Sequence, residues 1–234
     1  MSIYFPSSAA LTYLREGMAL SVSDKLGHPD FRPPIDHAMP PEFTEECKNI
    51  VASNIAGQGS RFLAHVETNP RTVLDIGCGL GIFSLSLYHT LNEKPTLYMV
   101  DGDSGGAYMT KFTDDGRDLV TDIDVTADFM LGNGVHPDHM ALVPPCAEVV
   151  SKLPPMDLVV SNYSWFYHYP PEVYWDAVRA IMHDNSYIQV NIRLDGGHPE
   201  YFDWLKTRFH DVTVTEFYRN EWNTVITVIA HKPV

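Results

Sequence analysis

The sequence has few cysteines and no long apolar run. Its three cysteines, Cys47, Cys78 and Cys146, are an odd number and form no CxxC pair, which argues against a disulfide framework and against a zinc site. No uninterrupted apolar stretch approaches the ~20 residues that cross a bilayer, and the N-terminus has no basic segment followed by an apolar one. We therefore expect a soluble, cytoplasmic protein with no membrane partner.

The sequence also lacks runs of basic residues. Its 16 lysines and arginines are scattered among 30 acidic residues, and the formal net charge is −14. A surface with this charge repels the phosphates of nucleic acids and the heads of anionic lipids. We therefore expect a small-molecule substrate and no nucleic-acid partner, whereas the sequence leaves the oligomeric state open.

The first 70 residues differ from the rest of the chain. A length of 234 residues with 44% hydrophobic residues suits one globular domain with an extension. Residues 1–70 combine helical patterns with a proline-rich stretch, so we predict an N-terminal helical cap or lid there. Within it, a helix should begin near Thr44, break or restart at Gly-Gln-Gly-Ser near residue 58, and end before Asn69.

Short apolar strands alternate with helices from Thr72 onward. The predicted strands are TVLDI, TLYMV, MALVP, DLVVS and YIQVNI, and the predicted helices lie near 80–91, 123–132, 146–152 and 171–183. Residues 102–121, which are rich in Asp and Gly, are predicted to be an inserted loop. The alternation predicts a doubly wound sheet within a domain over residues 71–234.

The end of the chain predicts an antiparallel hairpin. VTVTEFYR and NTVITVIAHK alternate apolar and polar residues and are joined by Asn220, Glu221 and Trp222. The final strand would then run antiparallel to its neighbours. The predicted fold class is α/β, with a doubly wound, mostly parallel seven-stranded sheet, an antiparallel C-terminal strand and an N-terminal helical extension.

A glycine-rich turn follows the first predicted strand. In TVLDIGCGLGIF the strand runs directly into Gly77, Gly79 and Gly81 and then into an apolar helix, so the chain turns sharply and a ligand can approach its backbone. With the antiparallel end of the sheet, this spacing resembles the D-x-G-x-G-x-G motif of class I S-adenosylmethionine-dependent methyltransferases. The resemblance runs from about Thr72 to the end of the chain and implies S-adenosylmethionine as cofactor and S-adenosylhomocysteine as product.

The resemblance also implies a set of cofactor-binding residues. Asp75 would help to hold the amino acid part of the cofactor. Asp101, at the end of the second strand, would accept hydrogen bonds from the ribose hydroxyls, with Asp103 as the alternative. After the third strand the commoner acidic or polar residue is absent, and a backbone amide at Cys146 or Ala147 could contact the adenine edge. The predicted cofactor-binding residues are Asp75, Gly77, Cys78, Gly79, Gly81, Asp101, Gly102, Cys146, Ala147 and Asn162.

Aromatic residues dominate the segment after the fourth predicted strand, SNYSWFYHYPPEVYW. Because open α/β sheets bind ligands at the carboxyl ends of their strands, Tyr163, Trp165, Tyr167 and His168 could form the walls of a dry acceptor pocket. Methyl transfer requires alignment of the acceptor and removal of its proton. His168 is the candidate general base, and a histidine merely hydrogen-bonded in an aromatic cluster is the alternative.

A second candidate acid and base pair follows the fifth predicted strand. Asp195 and His198 flank two glycines on the same carboxyl edge of the sheet. They could act in catalysis, or they could be turn and capping residues before a helix that starts near Pro199. No multidentate ligand spacing is present, so we predict no metal.

The predicted function is methyl transfer to an oxygen or nitrogen of a small molecule. FYHYPPEVY and the strand ending in NIR resemble sugar O-methyltransferases, which implies a sugar hydroxyl as acceptor. A dinucleotide-dependent oxidoreductase is a second possibility, disfavoured because its G-x-G-x-x-G fingerprint wants a small residue where Ile82 stands and because Asp75 would repel a pyrophosphate. A catalytically silent module that keeps the fold for protein contacts is the third, and it predicts a filled pocket.

Overall fold

The computed structural model describes most of the chain from residue 40 onward. The described residues are 3–6, 8–9, 26, 40–101, 123–195, 198–219 and 224–234. The predicted loop at 102–121, including Gly102 and Asp103, lies outside the described residues, as do the hairpin turn at Asn220 to Trp222 and most of residues 1–39 in the predicted N-terminal cap.

Helices and strands alternate from residue 41 to the end. The helices are α1 Pro41–Leu63, α2 Ile82–Thr90, α3 Ile123–Gly132, α4 Ala147–Val150, α5 Trp175–Ile181 and α6 Glu200–Lys206. The strands are β1 Thr72–Ile76, β2 Thr96–Val100, β3 Met140–Val143, β4 Met156–Ser161, β5 Ser164–Tyr169, β6 Met182–Arg193, β7 Phe209–Arg219 and β8 Thr224–Pro233.

Seven of the strands form one sheet in the order β3-β2-β1-β4-β6-β8-β7. β1, β2, β3, β4 and β6 are parallel, and β8 pairs antiparallel with both β6 and β7. The predicted fold class, a mostly parallel seven-stranded α/β sheet with an antiparallel C-terminal strand, is confirmed. The strand order reverses between β1 and β4, and open α/β sheets bind their ligands at such a switch point.

Apolar side chains cover both faces of the sheet. Val73 and Leu158 pack on the first face against α1, α2 and α3, whereas Leu74 and Val159 pack on the second face against α4, α5 and α6. Inner strands buried on both sides are apolar almost throughout, as parallel sheets require. Within the described residues, no helix is both long enough and apolar enough to cross a membrane.

Helix α1 is longer than the sequence indicated. It begins at Pro41, before Thr44, and passes through the Gly-Gln-Gly-Ser segment without a break. The hydroxyl of Ser86 on α2 accepts a hydrogen bond from the Gly59 N–H at 2.7 Å and donates one to the Ile55 carbonyl at 2.5 Å. In a regular helix the Gly59 N–H bonds directly to the Ile55 carbonyl, whereas here the Ser86 hydroxyl stands between the two groups. Gly59 is therefore a point of close helix contact, and the predicted break was wrong.

Replacing Gly59 with alanine should destabilise the protein by about 2 kcal/mol, because overpacking forces the two helices apart. An added Cβ would lie 2.8 Å from the backbone oxygen of Ser86. Gly57→Ala is the matched control, since a Cβ there meets only the flexible end of Arg61. The control should be neutral or should stabilise the helix by up to about 1 kcal/mol. Urea denaturation measures both, and equal effects would refute the close contact.

The aromatic segment after β4 forms a strand, β5, which lies outside the sheet order and was not among the predicted strands. Trp165 and Phe166 are both fully buried although neighbours in a strand normally point to opposite sides. Phe166 has φ 67°, which breaks the alternation and turns both rings inward. The predicted helix at 171–183 is reduced to a short turn, Pro171–Val173, and α5.

Candidate active site

The glycine loop between β1 and α2 is anchored on the end of β2. The N–H groups of Gly77 and Cys78 donate to the Val100 carbonyl at 2.8 and 3.1 Å. Gly77, Gly79 and Gly81 have φ values of 68°, 53° and 71°, in the left-handed region that favours glycine. The alternating glycines seen in the sequence are therefore required by the backbone path at the switch point of the sheet.

Two of these glycines also lack room for a side chain. A Cβ on Gly77 would lie 2.1 Å from the Cβ of Ser164, and one on Gly81 would lie 2.6 Å from the methyl group of Met99. Ser164 is the first residue of β5. The segment predicted to form the acceptor pocket therefore begins directly against the glycine loop.

Gly79 is held from both sides. Its N–H donates to Oδ2 of Asp101 at 2.7 Å, and its carbonyl accepts from the Thr126 hydroxyl at 2.6 Å. Thr126 is fully buried on α3. Thr126 was not among the predicted site residues, and its one signal in the sequence is a hydroxyl within the otherwise apolar buried face of that helix. Asp101, predicted from its position after β2, is in contact with the loop.

Asp75 is a buried acid at the end of β1, only 4% exposed. Its Oδ2 accepts a hydrogen bond from the hydroxyl of Ser84 on α2 at 2.7 Å. Burial raises the pKa of Asp75 to about 7, an effect that the Ser84 hydrogen bond opposes and the charge of Asp101 reinforces. A cationic group placed beside Asp75 would favour its ionised form.

The titration of Asp75 predicts a pH-dependent stability. Its pKa is about 7 in the folded protein against an ordinary value of 3.8, so between these values the folded state keeps a proton that the unfolded state has lost. Stability is therefore lost as the pH rises from about 4 to 7. Between pH 5 and pH 8, the free energy of unfolding should therefore fall by about 2 kcal/mol less in Asp75→Asn than in the natural chain. Parallel pH curves for the two proteins in denaturant titrations would contradict this.

Two tyrosines lie near Asp101, at the end of β5 and before α5. Burial, followed by the charges of Tyr169, Cys146 and Asp101, raises the pKa of Tyr174 to about 12. Burial and Asp101 also raise the pKa of Tyr169. Both phenols therefore stay protonated at neutral pH. Neither tyrosine was among the predicted cofactor-binding residues, because the sequence does not show that the end of β5 comes close to Asp101.

The turn after β3 presents two of the predicted cofactor residues. Cys146 is exposed and precedes α4, which begins at Ala147. The Cys146 N–H already donates to the Pro144 carbonyl at 2.7 Å. Of the two amides considered for the adenine edge, that of Ala147 is therefore the better candidate, since the first amides of a helix have no partner within the helix.

The predicted acceptor residues fall into two groups. The Tyr163 and Tyr167 rings meet edge to face, with centroids 5.5 Å apart, and Tyr163 is 48% exposed. Trp165 is instead fully buried, and its indole N–H donates to the Pro171 carbonyl at 3.0 Å. The structure therefore places Trp165 in the core. The side chain of His168 lies outside the described part of the structure, so its role as the base stays a prediction.

Asp195 and His198 have separate hydrogen-bond partners. The Asp195 carboxylate accepts a hydrogen bond from the Thr224 hydroxyl. His198 contacts Glu200 at 2.8 Å through Nδ1 and stacks on Tyr201, just before α6. These contacts favour the interpretation of both residues as turn and capping residues.

Comparison with known proteins identifies the fold. No family model and no curated protein sequence matches the chain. Among solved structures, the N-terminal domain of EvdMO1, determined with S-adenosylhomocysteine and D-fucose, is 13% identical, with 76% of this chain and 83% of that chain covered and a TM-score of 0.53. The chain has the class I methyltransferase fold. A protein from Nostoc punctiforme PCC 73102 assigned as an O-methyltransferase is 14% identical, with 95% and 72% covered and a TM-score of 0.54.

The methyltransferase fold is shared with enzymes of differing acceptors. Precorrin-6y C5,15-methyltransferase from Geobacter metallireducens GS-15 is 16% identical, with 79% of this chain and 88% of that chain covered and a TM-score of 0.50. At these identities the comparisons establish the fold, and the acceptor has to be inferred from the site itself.

Proposed function

We propose that this chain is an S-adenosylmethionine-dependent methyltransferase that acts on a hydroxyl group of a small molecule. The observation that carries the proposal is the glycine loop at the switch point of the sheet. Three glycines in the left-handed conformation form this loop, and hydrogen bonds from Gly79 to Asp101 and from Thr126 to Gly79 hold it in place. Such a loop lets a ligand lie against the backbone. The fold that carries it is shared with solved methyltransferases, one of them determined with S-adenosylhomocysteine.

The amino acid part of the cofactor would lie along the loop from Gly77 to Gly81. Its ammonium group would favour the ionised form of Asp75, which burial otherwise holds near half-titration at neutral pH. Asp101 would accept a hydrogen bond from the ribose, because it stands at the end of β2 and already orients the loop.

The adenine would lie between the turn after β3 and the end of β5. Tyr169 and Tyr174 supply aromatic surface beside Asp101, and the amide of Ala147 supplies a donor. Asn162, whose Oδ1 accepts from Gln189 Nε2 at 3.1 Å, stands where β4 leaves the sheet, at the junction of the cofactor and acceptor sides.

The sulfonium of the bound cofactor supplies a methyl group already activated for displacement. The protein then has to align the acceptor oxygen, exclude water and take up the acceptor's proton. Tyr163 and Tyr167 would line the acceptor side. His168, which follows Tyr167 on β5, is the proposed base. With the cofactor bound, the imidazole of His168 would take up the proton of the acceptor hydroxyl as that oxygen receives the methyl group.

Oxygen is favoured over nitrogen as the acceptor atom. The two solved structures with TM-scores of 0.53 and 0.54 support this choice, since one was determined in the presence of D-fucose and the other is of a protein assigned as an O-methyltransferase. A catalytically silent module is the second candidate, because Ser164 lies directly against Gly77 and partly fills the space above the loop.

Calorimetry with S-adenosylmethionine, S-adenosylhomocysteine and NAD⁺ tests the proposal. We expect one molecule of either sulfur ligand to bind per chain and NAD⁺ not to bind. Binding of NAD⁺ alone would favour an oxidoreductase. No binding of any of the three to the folded chain would overturn the proposal in favour of the silent module.

A further inference from the structure

The first face of the sheet becomes polar near the carboxyl edge of β6. The β6 side chains on the second face, Ile188, Val190 and Ile192, are fully buried and aliphatic. Those on the first face include Gln189 and Asn191, each only 6% exposed. Burial of an amide costs free energy unless it is hydrogen-bonded, so packing alone would favour aliphatic residues here as well.

These polar residues lie level with the glycine loop. Asp75 on β1 is in register with Val160 on β4, which is in register with Gln189 on β6. Asn191 stands two residues further toward the carboxyl edge and is in register with Thr227 on β8. The polar side chains therefore lie at the level of the loop that would hold the cofactor.

Hydrogen bonds join these side chains in two groups, and the second group reaches β7 at the edge of the sheet. Gln189 Nε2 donates to Asn162 Oδ1 at 3.1 Å, and the Thr227 hydroxyl donates to Asn191 Oδ1 at 2.9 Å. The same hydroxyl lies 3.5 Å from Glu216 Oε2. We call Asn162, Gln189, Asn191, Thr227 and Glu216 the polar row.

The polar row has hydrogen-bonding groups beyond those used in these contacts. An amide side chain has both a donor and an acceptor end, and these contacts use the carbonyl end of Asn162 and Asn191 and the amino end of Gln189. The opposite ends are the amino groups of Asn162 and Asn191 and the carbonyl of Gln189, so donors and acceptors alternate along the row. The charge at the end of the row is balanced, since Arg61 lies 2.8 Å from Glu216.

Aromatic rings flank this row. Tyr163 immediately follows Asn162 and meets Tyr167 edge to face. Burial raises the pKa of the Tyr163 phenol, and the nearby charges of Glu216 and Tyr218 on β7 raise it further, so Tyr163 lies near the far end of the row. An acceptor on the row would thus meet aromatic surface and neutral hydrogen-bonding groups together.

We propose that the polar row and the Tyr163–Tyr167 pair form the acceptor subsite, and that the acceptor carries two or more neighbouring hydroxyl groups on a saturated ring. Each hydroxyl both donates and accepts, which matches alternating amide ends, and the C–H face of a saturated ring matches aromatic side chains. Gln189 and Asn191 then determine acceptor specificity. This inference rests on the proposed function.

Ligand-observed NMR on the protein saturated with S-adenosylhomocysteine tests the inference. The probes are D-fucose, D-glucose, myo-inositol and, as a flat aromatic diol, catechol. We expect at least one saturated polyol to bind more strongly than catechol. Asn191→Leu and Gln189→Leu should each weaken that binding about tenfold, the effect of one lost hydrogen bond.

Asn185→Leu is the matched control, because it makes the same change on the exposed opposite end of β6. It should leave polyol binding unchanged, and all three variants should bind S-adenosylhomocysteine within about twofold of the natural chain. If Asn191→Leu fails to bind that ligand, Thr227→Val removes a hydroxyl of the row while keeping the side-chain shape.

The outcomes separate the inference from the function on which it rests. If the natural chain binds S-adenosylhomocysteine but binds no polyol better than catechol, or if the row variants keep full polyol binding, the acceptor subsite is refuted and the methyltransferase proposal stands. If the natural chain does not bind S-adenosylhomocysteine, both proposals fail.

Discussion

Replacing Gly79 with arginine should lower the affinity for S-adenosylhomocysteine by about 100-fold or more. Gly79 has φ 53°, and both of its backbone groups are held, the N–H by Asp101 and the carbonyl by Thr126. An arginine side chain would project from the loop at the point where the ligand has to approach the backbone, and it would strain the left-handed conformation. Calorimetry at constant pH measures the effect.

Gly134→Arg is the matched control for the backbone strain. Gly134 also has a positive φ, 87°, and an added Cβ would have no atom within 4 Å. The control should lose some stability and keep its affinity for S-adenosylhomocysteine. If Gly79→Arg keeps its affinity, the cofactor does not bind on the glycine loop. If both variants lose the same affinity, backbone strain alone is responsible for the loss.

The parts of the site that the sequence predicted are local in the chain. The strand, the three glycines and the start of the helix after them lie within twelve residues, so the loop conformation follows from residue types and spacing. Asp101 was predictable because strand length and the usual connection place it at the end of β2. The fold class followed in the same way from the alternation of strands and helices.

The parts that the sequence did not predict depend on contacts between distant segments. Thr126 bonds to a residue 47 positions away, and Ser86 to α1 residues about 30 positions away. Glycine inside a helical pattern usually weakens a helix, so the break near residue 58 followed from propensity. The close packing of α1 on α2 outweighs that propensity, and only the tertiary structure contains this information.

The aromatic segment shows a different limit of sequence reasoning. Composition predicts that such residues lie near a ligand or in the core, and it does not distinguish between these locations. The positive φ of Phe166 decides the matter, because it turns Trp165 and Phe166 together into the core while Tyr163 and Tyr167 stay near the surface. A left-handed conformation at a phenylalanine is not predictable from residue type.

Trp165→Ala should therefore destabilise the protein by about 4 kcal/mol, as expected for the loss of a large buried aromatic side chain. The centroid of its ring lies 4.7 Å from that of Phe166 and 6.2 Å from that of Tyr174. The hydrogen bond from its indole N–H to the Pro171 carbonyl would also be lost. Denaturant unfolding measures the change. Tyr163→Ala, at a side chain that is 48% exposed, should cost less than about 1 kcal/mol.

The pair of variants also separates a core role from a role in the pocket. If Trp165 is a core residue, its loss lowers the free energy of unfolding, and under conditions in which the variant is still folded the binding of polyol probes persists. If Tyr163 lines the acceptor subsite, its loss weakens polyol binding with little change in stability. The reverse result would be a stable Trp165→Ala protein that no longer binds polyols. Trp165 would then line the pocket, and the rings of β5 would have to turn the other way when the site is occupied.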